Sequence, residues 1–431
     1  MHESVLDVDG TTVSVAGLVR ALVGLPSEVE DAVRIDLIRA LEDLKSAAAA
    51  AQARQTAAFA ASQREKQVAA GVPAERADRG IASQVALARR VSPFHAQRYV
   101  GWAAILTREL PETFAALQAG KVSERRAMLV ARETIWLSRE FRAQVDAELR
   151  PRLEHLGDRK LESEVRKLAY RLDPHGFLAR TKGAEKDRYV SLRPAPDAMT
   201  RLTVFAPAAQ GVAAYAALCR AADTSIADGE TRGRGQLMTD FAIERLTGQT
   251  TATAVPVEVD VVIDADTLLG EADEPAHLDG YGPIPADTAR DLITAPEQAW
   301  LRRLFRQPKS GELVAMETRR RLFTEGQRRF IRLRDQTCRT PWCDAPIRHT
   351  DHVIPAENGG ATVVHNGQGL CAACNYVKEA LGWDMRPARA GRETIITTPT
   401  GHTYQGRAPD PPGGATESRL QRRIRQLLAA A

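Results

Sequence analysis

A chain of 431 residues is too long for one ordinary hydrophobic core, so two or three domains are expected. Its 44% hydrophobic content is that of a globular protein; no apolar run is long enough to span a bilayer, and the acidic opening lacks the apolar core of a signal peptide, so neither a spanning helix nor a signal peptide is expected. The net charge of +4 is ordinary, but residues 301–350 carry 13 Lys/Arg against 5 Asp/Glu, which suggests a polyanionic partner such as nucleic acid, or else a merely solvated helix face.

In chain order, residues 1–26 read as a short lead-in. Pro26-Ser27 then opens a helix, with Ser27 as cap and Glu30 three residues on to bond back to it. Val33, Leu37, Leu41 and Leu44 follow at helical spacing, and the helix runs through a string of alanines to about Ala70, where Gly71 and Pro73 stop it. So long a helix is either a dimerisation arm, giving a homodimer, or a packed core helix. The pattern stays helical to Leu172, which defines a helical domain over 27–172. Within it, Phe114 to Glu124 has the rhythm of a helix–turn–helix, a shape that either reads DNA or simply packs.

Residues 173–300 form a mixed continuation. Arg188–Arg193 and Arg201–Ala206 flank Pro194-Ala195-Pro196-Asp197 and read as strand–loop–strand. Helical patterns follow from Ala208 to Thr247, then a strand over Val255–Ile263. The acidic, Pro/Gly-rich stretch Glu271–Asp291 reads as a long connection, and helical patterning resumes over Ala289–Phe305. Residues 301–390 hold an arginine-rich segment and a compact module. Residues 391–431 hold a hairpin around Pro399-Thr400-Gly401, a Pro/Gly linker and a short basic helix over Glu417–Leu428. Cys219, alone on a helix, reads as a buried structural cysteine.

The module carries the chemistry. Cys338 with Cys343 and Cys371 with Cys374 are two close pairs that can aim four sulfurs at one ion, a structural Zn2+ site. Disulfides are the alternative, and the cytoplasmic location expected without a signal peptide or spanning run disfavours them. A four-cysteine zinc is coordinatively closed, so hydrolysis needs a second ion with open positions. Asp351 offers a carboxylate and Asn375 an amide oxygen, donors that suit Mg2+ or Mn2+. His352 can serve as general base. Since neighbours on a strand face opposite ways, a turn or bulge at Asp351-His352 is expected to bring both to one cleft. His349 and His365 compete as base or ligand but lack an adjoining carboxylate. Trp342 and Trp383 read as small-core anchors, with base-stacking platforms the alternative.

Asp351-His352, Asn366 and Cys371-Ala372-Ala373-Cys374-Asn375 with Lys378 resemble the signature of the HNH endonucleases, in the subgroup with a four-cysteine zinc. The resemblance implies an α+β chain ending in a small zinc-stabilised ββα-metal module that hydrolyses DNA. It makes His352 the base, Asp351 and Asn375 the ligands of the catalytic metal, Asn366 the residue that pins the loop orienting the histidine, and Lys378 a phosphate contact; Gly359-Gly360 matches the glycine pair of the family's connecting loop. Asn375 stands where the family has a histidine, which shifts the expected metal towards magnesium. Arg334 and Arg339, in the basic run, are read as further phosphate contacts. Upstream, Leu268-Leu269-Gly270, Asp279–Pro285 and the Pro308–Glu312 turn are similar to actinobacterial proteins of the 13E12 repeat family, which join a large helical domain to a C-terminal HNH module. The alternative is a zinc-stabilised nucleic-acid-binding module without catalysis.

Overall fold

The computed structural model describes residues 5–8, 11–249, 251, 261–270, 272–294, 322–389 and 392–409. The Pro308–Glu312 turn, most of the strand expected over Val255–Ile263, the start of the arginine run and the basic helix at Glu417–Leu428 lie outside these residues. The chain is mostly helical with small antiparallel sheets, an α+β arrangement, and divides into two compact units: Met1–Ala57 with Trp102–Asp173, and Ala58–Gly101 with Pro174–Ala431.

The first unit opens with a hairpin, β1 (Val5–Val8) and β2 (Thr11–Ser14), and helix α1 (Val15–Val23), which the Ser14 hydroxyl caps by accepting from Gly17 N at 3.0 Å. The stretch expected as a plain lead-in is therefore structured. Helix α2 runs Asp31–Ala69 and ends before Gly71, whose φ of +83° suits glycine. It starts later than the Ser27 signal implied; the Ser27 carbonyl accepts from Arg34 instead. After α3 (Ile81–Arg89) come α4 (Pro93–Glu109), α5 (Pro111–Gln118), α6 (Glu124–Thr134), α7 (Arg139–Leu153) and α8 (Asp158–Leu172). Ser123 and Ser138 cap α6 and α7. Asp146 of α7 caps α5 from a distance, accepting from Glu112 N, Thr113 N and the Thr113 hydroxyl. Leu110, Leu117, Val130, Leu149, Leu161 and Val165 form the core, each such side chain contributing roughly 1.5–3 kcal/mol by burial. The helix–turn–helix at α5–α6 exists, and α6 buries Ala127, Leu129, Val130, Ala131, Glu133 and Thr134 against the core. Gly120 in its turn admits no side chain: a Cβ would come 2.6 Å from that of Asp43.

In the second unit, Val85 and Ala86 of α3 pack with Phe59, Ala96 and Val100. Helix α9 (Pro174–Ala184) leads to the antiparallel pair β3 (Tyr189–Ala195) and β4 (Met199–Phe205), turned at Asp197 and Ala198. Helices α10 (Ala208–Ala227) and α11 (Arg234–Thr247) follow; Cys219 on α10 is half-exposed rather than buried. The expected long connection proves to be folded. Strand β5 (Val261–Val262), helix α12 (Ala265–Leu268), strands β6 (Ala276–Leu278) and β7 (Gly282–Ile284) and helix α13 (Ala286–Thr294) close over Ala276, Ile284 and Ala289. Gly280, at φ +78°, lets the chain reverse there. The C-terminal region holds α14 (Glu325–Asp335), β8 (His349–His352), β9 (Gly367–Leu370) and α15 (Ala372–Lys378). A three-stranded sheet of β10 (Asp384–Arg389), β11 (Glu393–Thr397) and β12 (Thr403–Arg407) ends the described chain; the expected hairpin is its β11–β12 half.

Candidate functional site

Two chain reversals build the thiol cluster. Trp342 and Asp344, at φ +58° and +45°, wrap the backbone around Cys343. Cys371 caps α15, its sulfur accepting from Cys374 N at 3.4 Å. All four sulfurs lie within 4.8 Å of one another, and Cys343 Sγ is 3.7 Å from the sulfurs of both Cys371 and Cys374. A tetrahedral zinc with Zn–S of about 2.3 Å needs sulfurs about 3.8 Å apart, so the donor set fits that ion. Hydrogen bonding with Cys338 pulls the Cys371 thiol well below its usual range and pushes Cys343 and Cys374 above it. So many thiolates cannot stay charged together unaided; a dication removes that conflict.

Beside the cluster, β8 and β9 pair antiparallel from His349↔Leu370 to His352↔Gly367, and α15 follows directly, a ββα unit. The pairing runs in register to its end, so the bulge expected at Asp351-His352 is not formed. The two side chains instead leave the strand towards different neighbours. The Asp351 carboxylate meets the ammonium of Lys378, which also donates to the His352 carbonyl at 2.8 Å. The His352 ring is buried against Phe323, with centroids 4.5 Å apart, and its Nε2 lies 3.0 Å from the Thr362 hydroxyl. Both residues still line one cleft of about 590 Å³, because it runs along β8 and around its end.

Asn366 ties the loop after β8 shut. Its Oδ1 accepts from Ile354 N at 2.9 Å, and its Nδ2 donates to the carbonyls of Ile354 and Ala361. The loop's glycines are both required. Gly359 has φ +83°, and a Cβ on Gly360 would sit 1.9 Å from the Ile354 carbonyl oxygen. Asn375 lies one helical turn before Lys378, on the same side of α15, but is not part of the cleft wall. Its Oδ1 is buried and accepts no hydrogen bond among the described residues, a cost of roughly 1–3 kcal/mol unless something else binds it. His349 lies edge-on to Tyr376 on the cleft wall, whereas His365 is exposed elsewhere.

The structure corrects the phosphate contacts read from the sequence. Arg334 turns inward, donating to Asp335 and to the carbonyls of Val364 and Gly367. Arg339 is buried beside Asp335, and burial pushes its pKa down to about 10. Asp335, fully enclosed, also accepts from Gly369 N at 2.7 Å, so the three charged groups join α14 to β9. Lys378 is nearly buried and committed to Asp351, His352 and Glu379. Arg328, Arg332 and Arg348, which the sequence reading did not single out, line the cleft instead.

The chain matches the family described as Domain of unknown function (DUF222) over residues 39–335, and it belongs to that family. The match stops at Asp335, so the thiol cluster and the ββα unit lie beyond it. A Mycobacterium tuberculosis protein described only as uncharacterized is 33% identical over 133 residues, which cover 30% of this chain. The match spans 24% of that relative's own length, about a quarter. No solved structure matches the chain. No helix among the described residues is long and apolar enough to cross a membrane.

Proposed function

We propose that the chain is a metal-dependent endonuclease of HNH type that hydrolyses DNA phosphodiester bonds. The observation that carries this reading is the cleft along β8, where Asp351, His352 and Lys378 meet beside four clustered cysteines. His352, with Nε2 donating to Thr362, takes the proton of an attacking water on Nδ1. The water oxygen bonds to phosphorus, one P–O ester bond breaks, and the leaving oxygen is protonated by solvent. Asp351 and the unsatisfied Asn375 Oδ1 would hold a Mg2+ or Mn2+ ion, which would supply charge stabilisation at the scissile phosphate. Asn366 keeps the His352 loop in place, and a structural zinc holds the cysteines. The partner is DNA, with a second copy of the chain at the exposed stripe of α2.

A second reading, nucleic-acid binding without catalysis, is favoured by one contact: the Lys378 ammonium already occupies the Asp351 carboxylate. A plasmid nicking assay separates the two. The nuclease nicks only with added Mg2+ or Mn2+, and His352→Ala abolishes nicking while zinc content and DNA binding persist. Salt-sensitive binding with no nicking in any metal would establish the second reading.

A further inference from the structure

Three guanidinium groups line the cleft and none is used to hold the fold. Arg328 and Arg332 sit four residues apart on α14, and Arg348 immediately precedes β8. All three are exposed, and among the described residues their side chains have no hydrogen-bond or ion-pair partner. Arg334, from the same basic run, has several and turns inward, and Arg339 is buried in an ion pair with Asp335. The phase of α14 separates Arg328 and Arg332 from Arg334. Gln327, Ile331 and Asp335 face inward at four-residue spacing. Arg328 and Arg332 flank that stripe on one side, and Arg334 flanks it on the other.

We propose that Arg328, Arg332 and Arg348 form a phosphate clamp that holds a nucleic-acid backbone across Asp351 and His352. This rests on the nuclease or binding reading of the same cleft. Anion binding by these three follows from their chemistry. A guanidinium presents a planar fork of donors that matches phosphate oxygens, and it stays charged at any working pH. Neighbouring groups on one helix face have Cβ atoms roughly 6 Å apart, so Arg328 and Arg332 can take separate oxygens of one strand while Arg348 approaches from the strand side of the cleft. Lys378 does not belong to the clamp, because its ammonium neutralises Asp351. Glu357 and Glu379 on the cleft rim repel phosphate and confine the backbone to the arginine wall.

The test is binding of a short DNA duplex by the full chain as a function of salt. Each phosphate contact contributes about 0.9 to the slope of log affinity against log salt. Arg328→Gln with Arg332→Gln should lower that slope by about two, and Arg348→Gln by about one. The exposed α9 residue Arg180→Gln should leave it unchanged, and Arg328→Lys with Arg332→Lys should retain it. Zinc content and melting temperature, read alongside, should stay at wild-type values because these side chains carry no internal bond. If the wild type binds with a steep slope that the Gln variants do not reduce, the clamp is wrong while the nucleic-acid reading stands. If the wild type shows no salt-dependent binding, that reading fails and the clamp with it.

Discussion

Gln327, Ile331 and Asp335 are the inward stripe of α14, and only Ile331 is apolar. Hydrophobic periodicity therefore has nothing to mark there, and every arginine in the run counts alike when charge is summed. That is why Arg334 and Arg339 read as phosphate contacts, although the buried carboxylate of Asp335 claims them both. The pairs Cys338/Cys343 and Cys371/Cys374, by contrast, announce themselves, because thiol spacing is a local property. Asn366 and the Gly359-Gly360 pair were legible only through a motif, since what they do depends on the carbonyls of Ile354 and Ala361. Asp335→Ala would remove the carboxylate that pairs with the buried Arg339, an expected loss of about 3–5 kcal/mol. Thermal melting followed with zinc stoichiometry should show it, and unchanged melting would remove Asp335 from its place as the tie between α14 and β9. Gly360→Ala should displace the loop against Ile354 and cut nicking at least as much as binding, which parallel assays of both will reveal.

At the scale of elements, strands with alternating residues and helices with caps were readable, while pieces too short to show a period were not. The β3–β4 pair declares itself through Arg188–Arg193 and Arg201–Ala206. Strands β6 and β7, three residues each, are hidden in a Pro/Gly-rich stretch because tertiary pairing, not propensity, makes them. The ββα unit is of the same kind: four-residue strands and a seven-residue helix are too small to hold a core alone. If the cysteines hold zinc and the cleft binds DNA as proposed, a strong chelator should therefore unfold this unit selectively, with loss of DNA binding that returns when zinc is restored. Far-ultraviolet circular dichroism and binding measured before and after will check it. On α2, Val33 and Leu44 are exposed and Leu37 and Leu41 half-exposed, so the stripe has no complete cover within its own unit. A second copy pairing there gives a dimer on sedimentation, and Leu37→Lys with Leu41→Lys should return it to monomer; a wild-type monomer at high concentration would end that reading.

For the whole molecule, the sequence invites a beads-on-a-string picture, with a helical domain first and a nuclease module last. The second compact unit has a different composition, since residues 58–101 and 174–431 share it. Two contacts make the connection concrete. Trp383, just after the ββα unit, lies against Gly80 at the start of α3, where any Cβ would come 2.7 Å from the indole nitrogen. The Thr400 hydroxyl, in the β11–β12 turn, meets Gln84 Oε1 at 3.1 Å. Neither pairing is visible in the sequence, because its partners stand some three hundred residues apart and no local pattern links them. A helical segment within the span matched by the family is therefore packed against a sheet that lies beyond it. The consequence is thermodynamic. If these surfaces fold together, Trp383→Ala should cost about 1–3 kcal/mol and lower the melting of α3 along with that of the C-terminal sheet. Hydrogen exchange resolves this: amides of Val85–Leu87 and of Thr394–Ile396 should lose protection in parallel. Loss confined to the sheet would mean that α3 draws its stability from Phe59, Ala96 and Val100 alone, and that the C-terminal sheet rests on the helices without reinforcing them.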